Sequence, residues 1–402
     1  MQHLDEGAEP PGASVGPQVS GHDCRAVSVG IRAGGPSALL RPTGRVTPIL
    51  IRSRACWGNV MHFNMLRLDQ SRQVADLGQV FGVMREGRDR LAHYRGTMRW
   101  KTIKGRAYLY RRVGIKDVSL GPRSPETEAI KLAFDQGKAT AQSLHDDARR
   151  RIEVMAPVNR ALGLGRVPVI AARIARRLLE ERLLGTSVSI VGTNALFCYE
   201  AMAGGHFSND LAATEDIDLL FDCRMRMQIV SEELSAAGLI GILKSVDRSF
   251  ERLSGGFRVV NRDNYLVDLI APMSKNAVRS PPQSLTDAEG DLVAAEIPGL
   301  QWLVSAPKVT AMAIDMRGLP VQLHCVDPRA FAVHKLWLSD RGDRDPPKRM
   351  RDRAQAMAVA QVVRRHLPNL RFDDRSLETL PKALRNRLSE LSPEDPGPDA
   401  DW

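Results

Sequence analysis

Acidic and apolar residues alternate in the segment 214–221, which reads Thr-Glu-Asp-Ile-Asp-Leu-Leu-Phe. Side chains at positions i and i+2 of a β-strand point to the same face, so a strand here places Asp216 beside Asp218. The intervening Ile217 and the following Leu219 then face a hydrophobic core. The segment therefore predicts a sheet with one buried face and two adjacent carboxylates on the other.

A third acidic residue lies in a second apolar segment. Asp268 stands in the sequence Asn-Tyr-Leu-Val-Asp-Leu-Ile at 264–270, with apolar residues on both sides. Burial of a lone carboxylate is unfavourable without a partner, and a metal ion is a partner that removes this penalty. The segment 256–260 reads as the hairpin neighbour of this strand, so we expect both to join the sheet that contains 216–221.

Three carboxylates in such a sheet indicate a site for divalent cations. Neighbouring carboxylates repel each other unless a cation lies between them. Oxygen ligands suit Mg²⁺ or Mn²⁺ rather than Zn²⁺, and two such ions can hold the attacking and leaving oxygens of an in-line phosphoryl displacement. An isolated Asp-x-Asp pair is usually a solvated strand end, but the third carboxylate favours a site. Asp216, Asp218 and Asp268 are therefore the predicted metal ligands and catalytic residues.

A tight turn precedes these strands. Residues 187–191 are typical of a strand, Gly192-Thr193 of a turn, and residues 195–203 of a helix. The backbone N–H groups at such a helix start are unpaired, and glycine lets a phosphate approach them closely. A glycine at a strand-to-helix turn is more often structural, so the turn alone is a weak signal. Gly192 and Thr193 are the predicted nucleotide-binding residues.

The C-terminal part adds one candidate ligand for phosphate. A helix is predicted over 327–338, and its Lys335 can reach a phosphate as a point charge. A solvated helical lysine is an equally good interpretation. A charged loop then leads to a helix over 348–365, where Lys348 and Asp352 have the spacing of an ion pair.

The N-terminal half combines long helices with a basic hairpin. Helical periodicity covers 66–91, and the sequence Ser-Pro-Glu at 124–126 is typical of a capped start to a long helix that runs to about residue 154. Two strand-like runs, 98–103 and 107–110, flank the turn Lys104-Gly105. The hairpin mixes Lys and Arg with Trp and Tyr. This mixture either binds nucleic acid or simply alternates solvated and inward residues.

Composition and charge exclude several classes of protein. The 402 residues carry a net charge of +10 with 43% hydrophobic residues, and no apolar run reaches the roughly 20 residues of a membrane helix. We expect a soluble, cytoplasmic protein without a membrane partner. The five cysteines form no Cys-x-x-Cys pair, and no histidine has zinc-site spacing to them, so we expect reduced thiols and no zinc.

The sequence divides into five predicted regions. Residues 1–60 are disordered or precede the true translation start, and 61–164 hold the N-terminal helix, the basic hairpin and the long helix. Residues 165–300 form the catalytic domain, 301–391 a C-terminal helical region, and 392–402 a frayed tail. The predicted fold class is α/β or α+β, with a mixed sheet flanked by N-terminal and C-terminal helices.

Four motifs occur in order along the chain. They are Gly-Pro-Arg-Ser-Pro-Glu (121–126), Val-Gly-Thr-Asn-Ala-Leu (191–196), Thr-Glu-Asp-Ile-Asp-Leu (214–219) and Asp-Pro-Arg-Ala-Phe-Ala-Val-His-Lys-Leu-Trp (327–337). Together they resemble the polymerase-beta-like nucleotidyltransferase superfamily and, over 97–381, a bacterial family of nucleotidyltransferase-fold proteins. The resemblance implies that Gly192 and Thr193 bind the triphosphate. It also implies that Asp216 and Asp218 hold the metals and that Asp268 completes the site.

The resemblance further implies an enzyme that uses Mg²⁺ or Mn²⁺. It would transfer a nucleoside monophosphate from an NTP to an acceptor hydroxyl and release pyrophosphate. The acceptor is open among RNA, protein and small molecules. Two alternatives keep the same fold: a non-catalytic protein that binds nucleic acid through the basic hairpin, and a toxin-like component of a defence module. Retention of all three carboxylates favours the enzyme over the non-catalytic protein.

Overall fold

The computed structural model describes residues 62–224, 232–273, 284–286 and 288–391. The predictions for residues 1–60 and for the tail 392–402 lie outside these ranges. All described residues fall within one unit, Asn59–Trp402. The expected boundaries at 164 and 300 remain predictions.

The described chain combines strands and helices along its whole length. The strands are β1 (Phe63–Met65), β2 (Thr97–Ile103), β3 (Arg106–Val113), β4 (Lys116–Pro122), β5 (Val188–Val191), β6 (Gly205–Phe207), β7 (Asp216–Phe221), β8 (Glu251–Arg252), β9 (Arg258–Val260), β10 (Leu266–Pro272), β11 (Ala295–Ile297), β12 (Lys308–Ile314) and β13 (Pro320–Val326). The helices are α1 (Leu68–His93), α2 (Pro125–Ala161), α3 (Val169–Glu180), α4 (Ala195–Ala203), α5 (Asn209–Ala212), α6 (Glu232–Val246), α7 (Gln301–Ser305), α8 (Pro328–Ser339), α9 (Pro346–His366), α10 (Lys382–Arg385) and α11 (Leu388–Leu391).

The described strands form three sheets, and the largest lies at the centre. Its eight strands follow the order β12-β13-β5-β7-β10-β9-β8, with β11 beside β10. β7 and β10 are parallel, whereas β5 is antiparallel to β7 and β9 is antiparallel to β10. The predicted mixed sheet with flanking helices is confirmed, and β9 is the hairpin neighbour expected within 256–260.

The alternation predicted for β7 sets the orientation of this strand. Ile217 and Leu219 are fully buried, whereas Asp216 and Asp218 on the opposite face are half-buried. Burial of one such aliphatic side chain contributes about 1.5–3 kcal/mol. A slip of one residue would exchange the two faces, so the core fixes the face on which the carboxylates lie.

The region 301–391, expected to be helical, also contributes two strands to the central sheet. β12 and β13 form an antiparallel hairpin, and β13 pairs with β5. Val321, Leu323 and Cys325 of β13 are at most 2% exposed. The expectation was incomplete because this strand-like alternation directly precedes a strong helix start, where α8 begins.

The two long N-terminal helices pack along each other. α1 covers the helix predicted over 66–91. α2 begins after the predicted cap Ser124, whose hydroxyl accepts a hydrogen bond from the backbone N–H three residues on. It continues past its predicted end and through Pro157. Its last turn is held by the buried Asn159, whose side chain donates to the Gly318 carbonyl at 2.7 Å.

The basic hairpin is part of a three-stranded antiparallel sheet, β2-β3-β4. The predicted turn Lys104-Gly105 joins β2 to β3, and both residues have positive φ, 48° and 78°. The third strand, β4, was not predicted. Its Asp117 reaches across β3 to form ion pairs with Arg99 and Lys101. No local sequence pattern reveals contacts of this kind.

Within the described ranges, no helix combines the length and the hydropathy needed to cross a membrane. Three of the five cysteines lie in these ranges, and Cys198, Cys223 and Cys325 are free thiols. The expectation of unpaired cysteines therefore holds for these three residues.

Two glycines of α1 provide a test of the contact between α1 and α2. A Cβ on Gly87 would lie 2.7 Å from the backbone nitrogen of His145 in α2, whereas a Cβ on Gly82 would meet nothing within 4 Å. We expect Gly87→Ala to destabilise the protein by about 1–3 kcal/mol, because the helices must move apart. Gly82→Ala should stabilise it by up to about 1 kcal/mol through helix propensity. Thermal denaturation of both variants measures the difference, and equal effects would contradict the close packing at Gly87.

Candidate active site

The three predicted catalytic carboxylates lie on neighbouring strands at one place in the central sheet. Asp218 of β7 is directly opposite Asp268 of β10, and on its other side it is opposite Val191 at the end of β5. Asp216 precedes Asp218 by two residues and pairs with Leu266. The fold therefore brings together three side chains that are separated by up to 52 positions in the sequence.

The Gly192 turn packs directly on the Asp218 carboxylate. A Cβ on Gly192 would lie 2.0 Å from Asp218 Oδ2, and the glycine has a φ of +62°. Only glycine satisfies both conditions. The following Thr193 is half-buried, and its Oγ1 lies 3.4 Å from the side-chain nitrogen of Gln355 in α9. The predicted nucleotide-binding turn and the predicted metal ligands thus form one continuous surface.

Two polar side chains fix the start of β7. The Thr214 hydroxyl donates to the Asp216 carboxylate, and the Asn194 side chain donates to the Asp216 backbone carbonyl at 2.5 Å. Asn194 belongs to the turn before α4, so this bond ties the turn to the carboxylate strand. In the sequence, Asn194 was noted only as part of the turn, and its tertiary role was missed.

The electrostatics of the site centre on Asp218. Burial, followed by the negative charges of Asp216 and Asp268, raises the pKa of Asp218 from 3.8 to about 7. The positive charges of Lys335 and Arg258 act in the opposite direction but are weaker. Asp218 therefore carries a proton for part of the time near neutral pH when no cation is present.

Asp268 is held by an arginine. Arg258 of β9 is its register partner and donates two hydrogen bonds to its carboxylate, at 2.6 and 2.5 Å. The sequence predicted a metal ion as the partner that makes burial of Asp268 tolerable, but here the partner is Arg258. The hairpin over 256–260 was recognised, but its register was not, because Asn264 and Tyr265 belong to the loop and β10 begins at Leu266.

The donor set fits a divalent cation at two of the three carboxylates. Asp216 and Asp218 supply adjacent hard oxygen donors, and the raised pKa of Asp218 reflects its burial and then the negative charges of Asp216 and Asp268, both of which a bound cation would offset. In the part of the chain that the structure describes, no group of three His, Cys, Asp or Glu side chains is placed to hold one ion together. Asp268 as a metal ligand stays a prediction, since its carboxylate is paired with Arg258 in this structure.

Lys335 is a buried residue of the site and not a solvated helical lysine. It is 7% exposed, and its Nζ lies 2.8 Å from Asp352 Oδ1 in α9. Arg344 also forms an ion pair with Asp352. The predicted Lys348–Asp352 pair is wrong, since Lys348 lies 3.7 Å from Asp345 instead. Asp352 faces the inside of the contact between α8 and α9, which spacing within one helix does not reveal.

A cavity of about 160 Å³ opens beside these residues. Its charged wall is formed by Asp218, Lys335 and Arg344 together with the Gly192 backbone. Its apolar wall includes Ile270, Ile297, Leu300, Leu303, Phe331 and Leu338. Of the three predicted carboxylates, Asp218 lines the cavity, whereas Asp216 and Asp268 do not.

One histidine, His334, also lines this cavity. Its ring lies 5.1 Å from that of Trp302 and stacks on Trp337 at 5.8 Å. Burial, followed by the charges of Lys335 and Arg344, lowers the pKa of His334 to about 3. The imidazole is therefore neutral near pH 7 and belongs to the uncharged part of the cavity wall.

Metal-free protein should lose stability as the pH rises from about 4 to about 7. The folded state holds a proton on Asp218 that the unfolded chain releases near pH 3.8, so this contribution is complete below pH 3.8 and is lost as the pH passes through about 7. The Asp218→Asn variant has no such proton to lose. Its melting temperature should fall less over this interval and exceed that of the wild type at about pH 8.

Calorimetry in EDTA between about pH 5 and pH 8 measures this difference. Asp222→Asn is the control, because Asp222 lies just past the other end of β7 and pairs with Arg224. If wild type and Asp218→Asn had the same dependence on pH, the raised pKa would not belong to Asp218.

Comparison with known proteins agrees with this geometry. A family model described as Nucleotidyltransferase matches residues 170–381, which is more than half of the 402-residue chain. The match covers the Gly192 turn, all three carboxylates and Lys335. No curated protein and no solved structure matches the chain. The chain belongs to this nucleotidyltransferase family.

Proposed function

We propose that the protein transfers a nucleoside monophosphate from an NTP to an acceptor hydroxyl in the cytoplasm, with Mg²⁺ or Mn²⁺, and releases pyrophosphate. The observation that carries this proposal is the packing of the Gly192 turn on the Asp218 carboxylate, next to Asp216. A triphosphate bound at the turn would lie beside the two carboxylates that fit a divalent cation.

Positive charge on the cavity wall supports binding of a triphosphate. Lys335 and Arg344 share the single carboxylate of Asp352, so this cluster, in which Lys335 and Asp352 are buried and Arg344 is half-buried, has a net positive charge. It faces the same cavity as Gly192 and Asp218. Backbone N–H groups in the Gly192–Asn194 turn, which joins a strand to a helix, would add donors for phosphate oxygens. The apolar wall offers a surface for the uncharged part of the nucleotide.

The proposed reaction is an in-line displacement at the α-phosphorus. The acceptor oxygen forms a bond to phosphorus, the bond from phosphorus to the bridging oxygen breaks, and pyrophosphate leaves with the electron pair. Asp216 and Asp218 would hold the divalent cation, which when bound would supply electrostatic stabilisation of the charge on the phosphoryl oxygens. Lys335 and Arg344 orient the leaving phosphates, and Asp268, fixed by Arg258, takes the acceptor proton.

Substitution of the two adjacent carboxylates tests the proposal directly. Asp216→Asn and Asp218→Asn keep the shape of the side chain but remove one charge from the cation site. Each should lower the rate of nucleotide transfer by about 100-fold or more while the melting temperature stays equal or rises. Asp222→Asn, just past the end of β7 and outside the site, should transfer at nearly the normal rate. Near-normal transfer by Asp216→Asn would refute the mechanism.

Asp268→Asn should behave differently from the other two variants. Loss of its charge leaves Arg258 without a carboxylate partner, so both the melting temperature and the transfer rate should fall. Calorimetry and single-turnover kinetics on the folded protein separate the two effects. A lower melting temperature with normal turnover would make the Arg258–Asp268 pair purely structural.

The acceptor is identified by labelling. Purified protein is incubated with each radiolabelled NTP, Mg²⁺ or Mn²⁺, and cell extract, and the labelled product is separated into RNA, protein and small molecules. The Asp216→Asn protein is the matched control. Label that appears equally with this variant does not come from the proposed site.

A further inference from the structure

The three-stranded sheet β2-β3-β4 lies at the end of an arm formed by α1 and α2. Ala148 and Ile152 of α2 belong to the cluster that packs on Ile314 of the central sheet. From Ala148 back to Pro125, at the start of α2, the helix rises about 35 Å. The small sheet is adjacent in sequence to the N-terminal end of α2, since β4 ends at Pro122 and α2 begins at Pro125. Arg111 of this sheet lies beside Phe134, so the sheet packs on a part of α2 that is about 20 Å from Ala148 along the helix.

One face of the small sheet packs on the arm. Leu109 of β3 is fully buried, and Trp100 of β2 is directly opposite it. Arg111, two residues on, lies 5.4 Å from the ring of Phe134 in α2. The side chains between these positions point the other way, because successive side chains of a strand alternate.

The outer face carries basic and aromatic side chains together. Arg99 is opposite Tyr110, and Lys101 is opposite Tyr108, so all four lie on the face away from Leu109. The Lys101 ammonium lies 4.6 Å from the centre of the Tyr110 ring. Tyr108 and Tyr110 are two residues apart on β3, so their side chains leave the same face about 7 Å apart.

This sheet holds most of the excess positive charge of the protein. Residues 97–123 contain eight Lys or Arg and one acidic residue, Asp117, a net charge of +7 compared with +10 for the whole chain. Asp117 pairs with Arg99 and Lys101, and the exposed Arg106 adds to the outer face. Such a concentration of charge is complementary to a polyanion.

We propose that this outer face, defined by Arg99, Lys101, Arg106, Tyr108 and Tyr110, binds single-stranded nucleic acid. The cations contact phosphates, and the two tyrosine rings stack on neighbouring bases. A duplex is a poorer ligand, because its bases are already stacked within the helix. Binding requires neither NTP nor metal and does not depend on the proposed transfer reaction.

The distribution of apolar side chains favours nucleic acid over an anionic membrane. The most exposed aliphatic residue of the sheet region is Ile115, in the turn between β3 and β4, at 87%. Val118, 57% exposed, is opposite Arg111 and so lies on the Leu109 face. A membrane surface would need apolar and basic groups on the same side. On the outer face the cations are accompanied by the two tyrosines and by Ile103, which is opposite Arg106 and 43% exposed, so aromatic rings predominate among the apolar groups there.

Fluorescence anisotropy with the full-length protein tests the proposal. The probes are labelled oligo-U and oligo-dT strands of about 20 nucleotides at about 50 mM salt, without NTP or divalent cations. Both should bind, since phosphate contacts and stacking do not require the 2′-hydroxyl. The triple variant Arg99→Ala, Lys101→Ala, Arg106→Ala should bind at least about tenfold more weakly. The slope of log affinity against log salt should fall in magnitude by about 2.

Matched variants separate this surface from general positive charge. Replacement of the exposed Arg365, Lys382 and Arg385 with alanine removes the same charge elsewhere and should leave binding unchanged. Tyr108→Ala with Tyr110→Ala should weaken binding at least about fivefold without a change in the salt slope. The double Tyr→Phe variant keeps the rings and should bind normally. Melting temperatures verify that each variant is folded.

Three outcomes would overturn the proposal. The first is no binding of either strand at low salt. The second is equal binding by the Tyr→Ala and Tyr→Phe double variants, which would show that the aromatic rings do not contribute and that the surface binds through positive charge alone. The third is binding of duplex DNA or of vesicles containing anionic phospholipid as tightly as the single strands. If the Asp216→Asn variant loses nucleotide transfer but still binds the oligonucleotides, the nucleic-acid surface and the transfer site are independent of each other.

Discussion

Asp218 lies between a carboxylate on its own strand, a carboxylate on the adjacent strand and the backbone of Gly192. Apolar packing beneath the sheet holds these groups together although their charges repel. Burial, followed by this repulsion, raises the pKa of Asp218 to about 7. An arrangement of this kind stabilises the fold less than an apolar one would, and such arrangements concentrate at functional sites. The Gly192 turn, the other two carboxylates and the cations Lys335 and Arg258 all surround this carboxylate.

Cations supplied by three later segments balance the site. Arg258 in β9 forms an ion pair with Asp268. Lys335 in α8 and Arg344, which follows α8, both form ion pairs with Asp352 in α9. Of these groups, Asp218, Lys335 and Arg344 line the cavity together. This combination of one carboxylate and two cations suits a ligand that has both metal-bound and free phosphate oxygens, and it links the C-terminal helices to the proposed chemistry.

Much of the fold was predictable because its signals are local. The alternation in β7, the glycine turn before α4 and the cap of α2 each depend on a few neighbouring residues, and the mixed sheet followed from them. The strands β4 and β13 were missed, because β4 is held by ion pairs across the sheet and β13 is adjacent to a strong helix start. The predicted Lys348–Asp352 pair failed because helical spacing does not tell which side of the helix is buried.

By itself the sequence determined which residues carry the candidate chemistry: a glycine turn, two carboxylates at strand spacing and a third in an apolar segment. Local periodicity was sufficient, since it fixes which side chains share a face. Only the tertiary structure decided their partners. It placed Gly192 against the Asp218 carboxylate, paired Asp268 with Arg258 and buried Lys335 beside Asp352. These contacts join positions far apart in the chain, and they form because the packing of the sheet and helices, not sequence distance, sets which charges meet in a medium of low dielectric constant.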